Sequence, residues 1–119
     1  MVLVVDDESV TRRVVTHALK TMNIEVLGAE NGTEALQLAQ EHTPALALVD
    51  INLPDMDGFA VTEQLRQMAH IAEMPVVIFT ARNHAGDEET AAEVGAQGFF
   101  YKPFSTQELR DMVSQYVNP

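Results

Sequence analysis

The chain has no cysteine and no tryptophan among its 119 residues, and only seven lysines and arginines stand against 18 aspartates and glutamates. Without cysteine there is no disulfide framework and no thiolate metal site, which excludes zinc fingers and fits a reducing compartment. The formal charge of -11 argues against direct binding of this segment to nucleic acid or to an anionic membrane. The sequence is therefore that of a small acidic protein whose chemistry rests on residues other than cysteine.

Long apolar stretches are also missing from the sequence. The residues from Met1 to Val5 lead directly into aspartates, with no basic segment before them, so we expect neither a cleaved secretion signal nor a membrane span. A chain of this length buries about two thirds of the surface that its unfolded form exposes. We therefore expect residues 1–119 to form a single domain with its own core.

Four short apolar runs are present instead, and each of them ends on polar residues. The runs cover residues 2–5, 46–49, 76–79 and 99–101. They are mostly too continuously apolar to leave one face in water, which is typical of parallel strands that are covered on both sides. The polar residues that follow the runs are Asp6 with Asp7, Asp50, Thr80 and Lys102.

The first segment with helical spacing covers residues 9–22. Val10, Val14, Ala18 and Met22 recur every four residues there and form one apolar stripe. A stripe of this kind marks the side of a helix that packs on the rest of the protein. We therefore expect these four residues to face the core.

The other helices are predicted from periodicity and from cap signals. They cover residues 34–41, the segment after Gly58, residues 84–94 and the segment after the capping box that begins at Ser105. The helix at 84–94 is acidic, has only a thin apolar stripe and is closed by Gly95. Its weak core face suggests a helix that can shift.

A further strand is predicted at 25–29, between the first and second helices. With it, strands and helices alternate along the whole chain. This alternation predicts an α/β fold, a doubly wound and mostly parallel five-stranded sheet with helices on both faces. With the first strand in the centre, the strand order is 2-1-3-4-5. Ligands of such sheets bind beyond the carboxyl ends of the strands, where the strand order reverses. We therefore expect the polar residues after the strands to converge there.

Clustered carboxylates at that edge require positive charge nearby. Two carboxylates about 4 Å apart repel by roughly 4 kcal/mol at an effective dielectric constant near 20. Lys102 supplies one compensating charge. A divalent ion supplies two more, and an all-oxygen site without histidine or cysteine indicates Mg²⁺ or Mn²⁺. A carboxylate beside such an ion, with a hydroxyl and a lysine to receive oxygens, suits phosphoryl transfer.

Four motifs in this order resemble the receiver domains of two-component response regulators. They are VVDDE at 4–8, LVDINLPDMDG at 48–58, FTA at 79–81 and KPF at 102–104. Each motif alone has a plainer explanation, such as a helix cap or a surface lysine, and the combination is what is specific. The resemblance covers essentially the whole chain. It implies a flavodoxin-like fold and a cytoplasmic signalling domain that is no enzyme beyond its own phosphorylation and dephosphorylation.

The resemblance also implies which residues take the phosphoryl group and the metal ion. Asp50 is the expected phosphoacceptor, which receives the phosphoryl group of a partner kinase's phosphohistidine as an acyl phosphate. Asp7 and Asp50 are expected to bind the metal ion directly and Asp6 through a water molecule. The backbone carbonyl of Asn52 would complete the protein ligands.

By the same resemblance, four groups hold the phosphoryl oxygens. They are the hydroxyl of Thr80, the ammonium of Lys102 and the backbone N–H groups of Asn52 and Ala81. Phosphorylation then draws Thr80 inward, and Phe99 fills the vacated space as the switch aromatic. A population shift of this kind requires that the phosphoryl group favour one arrangement through its own contacts.

The expected partners follow from this scheme. They are a histidine kinase or phosphotransfer protein as donor, and a downstream protein or fused output domain that reads the surface of the fourth helix, fifth strand and fifth helix. A homodimer through that surface is a further possibility. The resemblance also implies a cis peptide bond between Lys102 and Pro103, and a location of Asn52 and Arg82 at the pocket entrance, where they influence the lifetime of the acyl phosphate.

Two rival interpretations stay open. An Mg²⁺-dependent phosphohydrolase with an aspartate nucleophile, resembling the haloacid dehalogenase class, would also form an aspartyl phosphate. It needs a second carboxylic acid two residues later, where this chain has Asn52. A degenerate interaction module of the same fold would go unphosphorylated, although all the pocket residues are present. Asp55 and Asp57 are interpreted as solvated turn residues without a ligand role.

Overall fold

The structure is a computed structural model that describes residues 1–117, so the last two residues of the predicted 1–119 domain lie outside the described part. Its five strands form one sheet in the order β2-β1-β3-β4-β5, with every neighbouring pair parallel. This confirms the predicted topology. The strands are β1 (Val2–Val5), β2 (Val26–Ala29), β3 (Leu46–Val49), β4 (Val76–Thr80) and β5 (Gly98–Tyr101).

Five α-helices connect the strands and cover both faces of the sheet. They are α1 (Ser9–Lys20), α2 (Gly32–Glu41), α3 (Gly58–Arg66), α4 (Asp87–Glu93) and α5 (Thr106–Ser114), with a short 3₁₀ turn at Ala69–Ile71. The buried residues of α1 and α5 share one apolar cluster, and those of α2, α3 and α4 share the other. No helix in residues 1–117 has the length and apolar character needed to cross a bilayer.

The central strands have the burial that their apolar runs predict, and the edge strand differs. All residues of β1, β3 and β4 are buried. β5 is only half-buried, and Tyr101 is 41% exposed. The difference arises because β5 is the last strand of the sheet and has a neighbour on one side only. It presents an edge between α4 and α5.

The predicted apolar stripe of α1 is wrong at two positions. Val10 is 64% exposed and Val14 is exposed as well, whereas Val15, Ala18 and Leu19 form the buried face. The sequence contains valine at both 14 and 15, so two stripes about 100° apart are available on this helix. Contact with α5 and the sheet selects the second one.

The ends of several helices also differ from the predictions. The helix predicted at 84–94 is present only as Asp87–Glu93, because Gly86 lies in the left-handed region with φ of 87° just before it. Gly95 closes it with φ of 99°, as predicted, and both angles favour glycine. The apolar spacing of Val61, Leu65 and Met68 predicts that the helix after Gly58 reaches Met68, but α3 ends at Arg66 and leaves Met68 outside. The late start after Gly86 leaves α4 with seven residues, which is about two turns.

Asp55 and Asp57 cap helices, a role that their interpretation as solvated turn residues did not include. Asp55 accepts hydrogen bonds from the backbone N–H groups of Gly32 (2.8 Å) and Thr33 (2.9 Å) and from the Thr33 hydroxyl, at the start of α2. Asp57 accepts one from the N–H of Ala60 (2.8 Å) at the start of α3. The loop after β3 is thus tied to two helix N-termini.

Asp55→Asn is expected to destabilise the protein at neutral pH, by an amount that shrinks as the pH falls from about 3.8 through about 2. The hydroxyl of Thr33, followed by the N–H groups of Gly32 and Thr33, lowers the pKa of Asp55 from 3.8 to about 2. The ionised carboxylate therefore stabilises the fold fully above about pH 3.8, and this contribution is lost as the pH falls through about 2. Urea unfolding across this pH range measures the gap between wild type and variant.

Glu63→Gln on the exposed side of α3 is the control, for which we expect no gap that closes with acid. An Asp55→Asn gap that stays constant down to pH 2 would contradict the role assigned to the carboxylate.

Candidate functional site

The ends of the parallel strands bring the predicted site residues to one edge of the sheet. β1 and β3 are in register, and the backbone N–H of Asp50 continues that ladder to the carbonyl of Val5 at 3.0 Å. The N–H of Lys102 continues the ladder between β4 and β5 to the carbonyl of Thr80 at 2.9 Å. Asp6 directly follows β1 in the same way. Residues that are far apart in sequence therefore share this edge.

Asp6, Asp7 and Asp50 form a cluster of carboxylates. Each offers a carboxylate oxygen, and these oxygens lie within 4.8 Å of one another. Asp6 is fully buried, Asp50 is 6% exposed and Asp7 is exposed, so the cluster opens to solvent on the side of Asp7. At this separation the buried pair Asp6 and Asp50 repels by about 3 kcal/mol at an effective dielectric constant near 20.

Lys102 provides positive charge inside the cluster. Its Nζ lies 2.9 Å from Oδ2 of Asp50, 2.5 Å from Oδ2 of Asp6 and 3.9 Å from Oε1 of Glu8. The ammonium also sits 4.8 Å from the centroid of the Phe79 ring, a cation–π distance that the sequence did not predict. The peptide bond between Lys102 and Pro103 is cis, as the resemblance implied.

Lys102 keeps its proton at neutral pH in this environment. Burial is the largest single influence and lowers the pKa of Lys102, but the hydrogen bonds and charges of Asp6 and Asp50 together outweigh it and raise the pKa. Burial in turn raises the pKa of Asp6, against the hydrogen bonds from Lys102 and from the N–H of Glu8. One ammonium is thus paired with the two buried members of a cluster of three carboxylates.

The donor set fits a hard divalent cation. Three carboxylates against one lysine leave two negative charges, which is the charge that one such ion neutralises. All the donors are oxygens, and the exposed Asp7 leaves one side of the cluster accessible. Arg12 donates to the backbone carbonyl of Asp6 at 2.6 Å and thereby helps to fix the backbone at this acid.

The loop after β3 brings backbone groups close to Asp50. The N–H of Asn52 donates to Oδ1 of Asp50 at 3.3 Å, and Asn52 forms a bridge with Asp57 across the loop. A Cβ added to Gly58 would overlap the backbone carbonyl of Asp50, so only glycine allows α3 to start this close to the site. The sequence signal for this was the glycine at the end of the LVDINLPDMDG motif, to which no packing role had been assigned.

Thr80 and Ala81 lie at the same carboxyl edge but outside the cluster of charges, whereas Phe99 lies within the edge strand β5, paired with Ile78. Thr80 is buried, and its hydroxyl accepts a hydrogen bond from the N–H of Arg82 at 3.1 Å. Ala81 is exposed at the mouth of the site. Phe99 is half-buried on β5 and packs against the Tyr101 ring, with 5.0 Å between centroids. The structure therefore brings the charged residues into contact, whereas Phe99 lies on the outermost strand of the sheet.

Comparison with known proteins supports one family. Residues 2–114 match the response regulator receiver domain family. The chain is 37% identical over 108 residues to a probable transcriptional regulator, ycf27, of Porphyra purpurea. This match covers 91% of this chain and 43% of that protein. It is 32% identical over 116 residues to the polar-differentiation response regulator DivK of Brucella anthropi, covering 98% of this chain and 94% of DivK.

Solved structures agree with this match. The chemotaxis response regulator CheY4 of Vibrio cholerae superposes with a TM-score of 0.92 at 30% identity, covering 98% of this chain and 97% of that one. The chain spans about half the length, or less, of several curated relatives, such as ycf27 of Cyanophora paradoxa, of which it covers 50%. By family match, sequence identity and fold, the chain belongs to the receiver domains of two-component response regulators.

Proposed function

We propose that this receiver domain accepts a phosphoryl group on Asp50 in an Mg²⁺-dependent reaction with a histidine kinase or phosphotransfer protein. The observation that carries the proposal is the position of the Asp50 carboxylate, which lies in a cluster of three acids and is held by Lys102 at 2.9 Å. This arrangement supplies a nucleophile together with the charge control that phosphoryl transfer needs.

The chain's own groups orient the Asp50 carboxylate for attack. The ammonium of Lys102 binds Oδ2, and the N–H of Asn52 lies 3.3 Å from Oδ1. In the proposed step a carboxylate oxygen of Asp50 forms a bond to phosphorus. The bond between phosphorus and the donor's imidazole nitrogen breaks, and its electron pair stays on that nitrogen, which then takes up a proton. The product is an acyl phosphate on Asp50.

The metal ion would be held by Asp7, Asp50 and the backbone carbonyl of Asn52, with Asp6 acting through water. When bound, Mg²⁺ (or Mn²⁺) neutralises charge that builds up on the phosphoryl oxygens. The carboxylates that would bind it lie within 4.8 Å of one another, and their excess of negative charge supports this assignment. The site therefore depends on an added cation to receive a phosphoryl dianion.

The proposed contacts of the phosphoryl oxygens are the Lys102 ammonium, the Thr80 hydroxyl and the N–H groups of Asn52 and Ala81. The Thr80 hydroxyl now accepts a hydrogen bond from the backbone N–H of Arg82 at 3.1 Å. To contact the phosphoryl group, it would have to turn away from that N–H. Phe99 would then fill the vacated space and change the surface of α4, β5 and α5. The half-burial of Phe99 on an edge strand supports this role, because a half-buried ring loses less packing when it moves than a fully buried one.

The proposed partners are the phosphodonor and a protein that reads the surface of α4, β5 and α5, including a fused output domain or a second copy of the chain. Family membership supports these partners and a cytoplasmic location. We further propose that residues 1–119 act as one receiver unit, of which 2–114 match the family.

Acetyl phosphate with Mg²⁺ tests the proposed function, with intact mass and peptide mapping as the measurement. We expect one phosphoryl group per chain, on Asp50 and sensitive to hydroxylamine. Rapid multiple turnover of phosphate monoesters would instead identify a phosphohydrolase. A chain that forms no adduct at any time would be the degenerate module, and both of these results would contradict the proposal.

A further inference from the structure

Arg82 and Asp87 form a two-point ion pair beside the site. Nε of Arg82 donates to Oδ2 of Asp87 at 2.8 Å, and Nη2 donates to Oδ1 at 2.9 Å. Asp87 is the first residue of α4 and is only 6% exposed. The hydrogen bond from Arg82 lowers the pKa of Asp87, so the pair is ionised at neutral pH. Paired N–H···O bonds of this kind fix geometry as well as distance.

The same arginine also contacts the mouth of the site. Its backbone N–H donates to the Thr80 hydroxyl at 3.1 Å, and Nη1 lies 3.4 Å from Oδ1 of Asn52. Both of these residues are proposed to bind the phosphoryl oxygens. Arg82 therefore joins the site to the first residue of α4 without any intervening residue.

The rest of α4 is held unequally at its two ends. The helix has seven residues, and of these only Asp87 and Ala91 are buried. At the far end, the guanidinium of Arg66 on α3 donates to the carbonyl of Gly95 at 2.9 and 2.8 Å, which anchors the end of the helix. At the near end, Gly86 allows the backbone to turn freely. Two side-chain contacts therefore hold the near end, the buried Arg82–Asp87 pair and the exposed hydrogen bond from the Tyr101 hydroxyl to Oε2 of Glu88 at 3.1 Å.

We propose that Arg82 is a positioning residue whose guanidinium holds α4 through Asp87 and is drawn away when a phosphoryl group on Asp50 competes for it. The inference rests on the proposed phosphorylation of Asp50. Asp87 occupies the Nε and Nη2 donors of the guanidinium and neutralises its single positive charge. A phosphoryl group on Asp50 would compete with Asp87 for that charge and for Nη2, which belongs to both hydrogen-bonding edges of the guanidinium. Release of Asp87 would loosen the near end of α4, which would then be joined to β5 through Glu88 and Tyr101, while Arg66 keeps the far end in place.

Beryllium trifluoride with Mg²⁺ provides the test, because it becomes tetrahedral when it binds a carboxylate oxygen and then imitates a phosphoryl group. Asp87→Asn removes the competing charge, so we expect beryllium trifluoride to bind about fivefold more tightly by calorimetry. Glu89→Gln is the matched control. It removes the same charge from the same turn of α4 at an exposed position, and we expect less than a twofold change.

Arg82→Gln separates this mechanism from a simple restraint. If Arg82 only restrained α4, its removal would raise the affinity as Asp87→Asn does. We expect no increase, because the variant loses the contact with the anion together with the restraint. In the Arg82→Gln background, Asp87→Asn should have no further effect. An equal gain in both backgrounds, or in Arg82→Gln itself, would overturn the proposal.

Hydrogen exchange of the α4 amides in the unliganded protein is the second measurement. We expect faster exchange over residues 87–93 in Asp87→Asn and in Arg82→Gln, and no change in Glu89→Gln. Unchanged exchange in Arg82→Gln alone would contradict the inference even if Asp87→Asn failed to fold. A wild-type chain that takes up neither beryllium trifluoride nor phosphate would refute the proposed function. If the wild type binds beryllium trifluoride but the effects of Arg82→Gln and Asp87→Asn on its affinity are additive, only this inference is refuted.

Discussion

Asp50→Asn is expected to abolish phosphorylation by acetyl phosphate while the fold is retained. A carboxamide has no carboxylate oxygen to form an acyl phosphate, so the intact mass should stay that of the unmodified chain. The amide has nearly the same shape as the acid. It removes a repulsion from Asp6 of about 3 kcal/mol at an effective dielectric constant near 20. Lys102 keeps its partner Asp6 at 2.5 Å. The thermal midpoint should therefore not fall.

Asp55→Asn and Asp57→Asn provide the matched controls for this variant. Both change an aspartate to asparagine in the loop after β3, and both residues cap helices without belonging to the acidic cluster. We expect each of them to take up one phosphoryl group per chain at neutral pH. Stoichiometric phosphate on Asp50→Asn, mapped to the same pocket, would show that the phosphoacceptor is a different residue.

Removal of Mg²⁺ with EDTA is expected to slow the phosphorylation of wild-type protein by roughly a hundredfold or more. A divalent ion contributes several kcal/mol of charge stabilisation in such reactions, and each 1.36 kcal/mol changes a rate tenfold. Without it, one lysine faces three carboxylates and the incoming phosphoryl dianion. The measurement is the initial rate of adduct formation by mass, with Mn²⁺ expected to restore it. A rate that chelation leaves unchanged would contradict a metal-dependent reaction.

Asp7→Asn links this dependence to the acidic cluster through a measurement that needs no phosphorylation. Asp7 is the exposed member of the cluster, so its substitution should leave the core intact and weaken the binding of Mg²⁺ by calorimetry. Glu8→Gln is the neighbouring control, because Glu8 is also exposed and acidic but lies outside the cluster. Equal losses of affinity in both variants would indicate a general charge effect and not a ligand role for Asp7.

The sheet and the site edge could be predicted because their signals are local. Runs such as Val2–Val5 and Leu46–Val49 are continuously apolar. This pattern distinguishes parallel strands that are buried on both faces from strands with one solvent-exposed face. The polar residues that follow them had to emerge at one edge, and the contact of Lys102 with Asp6 and Asp50 agrees with this expectation. The chemical roles of these side chains remain predictions that the experiments above address.

The prediction failed where two local patterns compete or where a contact joins distant segments. Val14 and Val15 offer two faces of α1, and only packing against α5 chooses between them. Asp55 caps α2 from a loop that lies 22 residues away in sequence from Thr33, and no local periodicity reveals such a contact. The predicted helix at 84–94 is shorter because Gly86 adopts a left-handed conformation that sequence alone does not assign.

The amino-acid sequence by itself determined the alternation of strands and helices, the order of the sheet and the set of residues at its edge, because hydrophobic periodicity and chain connectivity carry that information. Only the tertiary structure decided how tightly Lys102 pairs with two carboxylates and which face of α1 is buried. It alone also showed that Arg82 holds the first residue of α4. Distances between side chains depend on packing across the whole molecule, and no single segment encodes them.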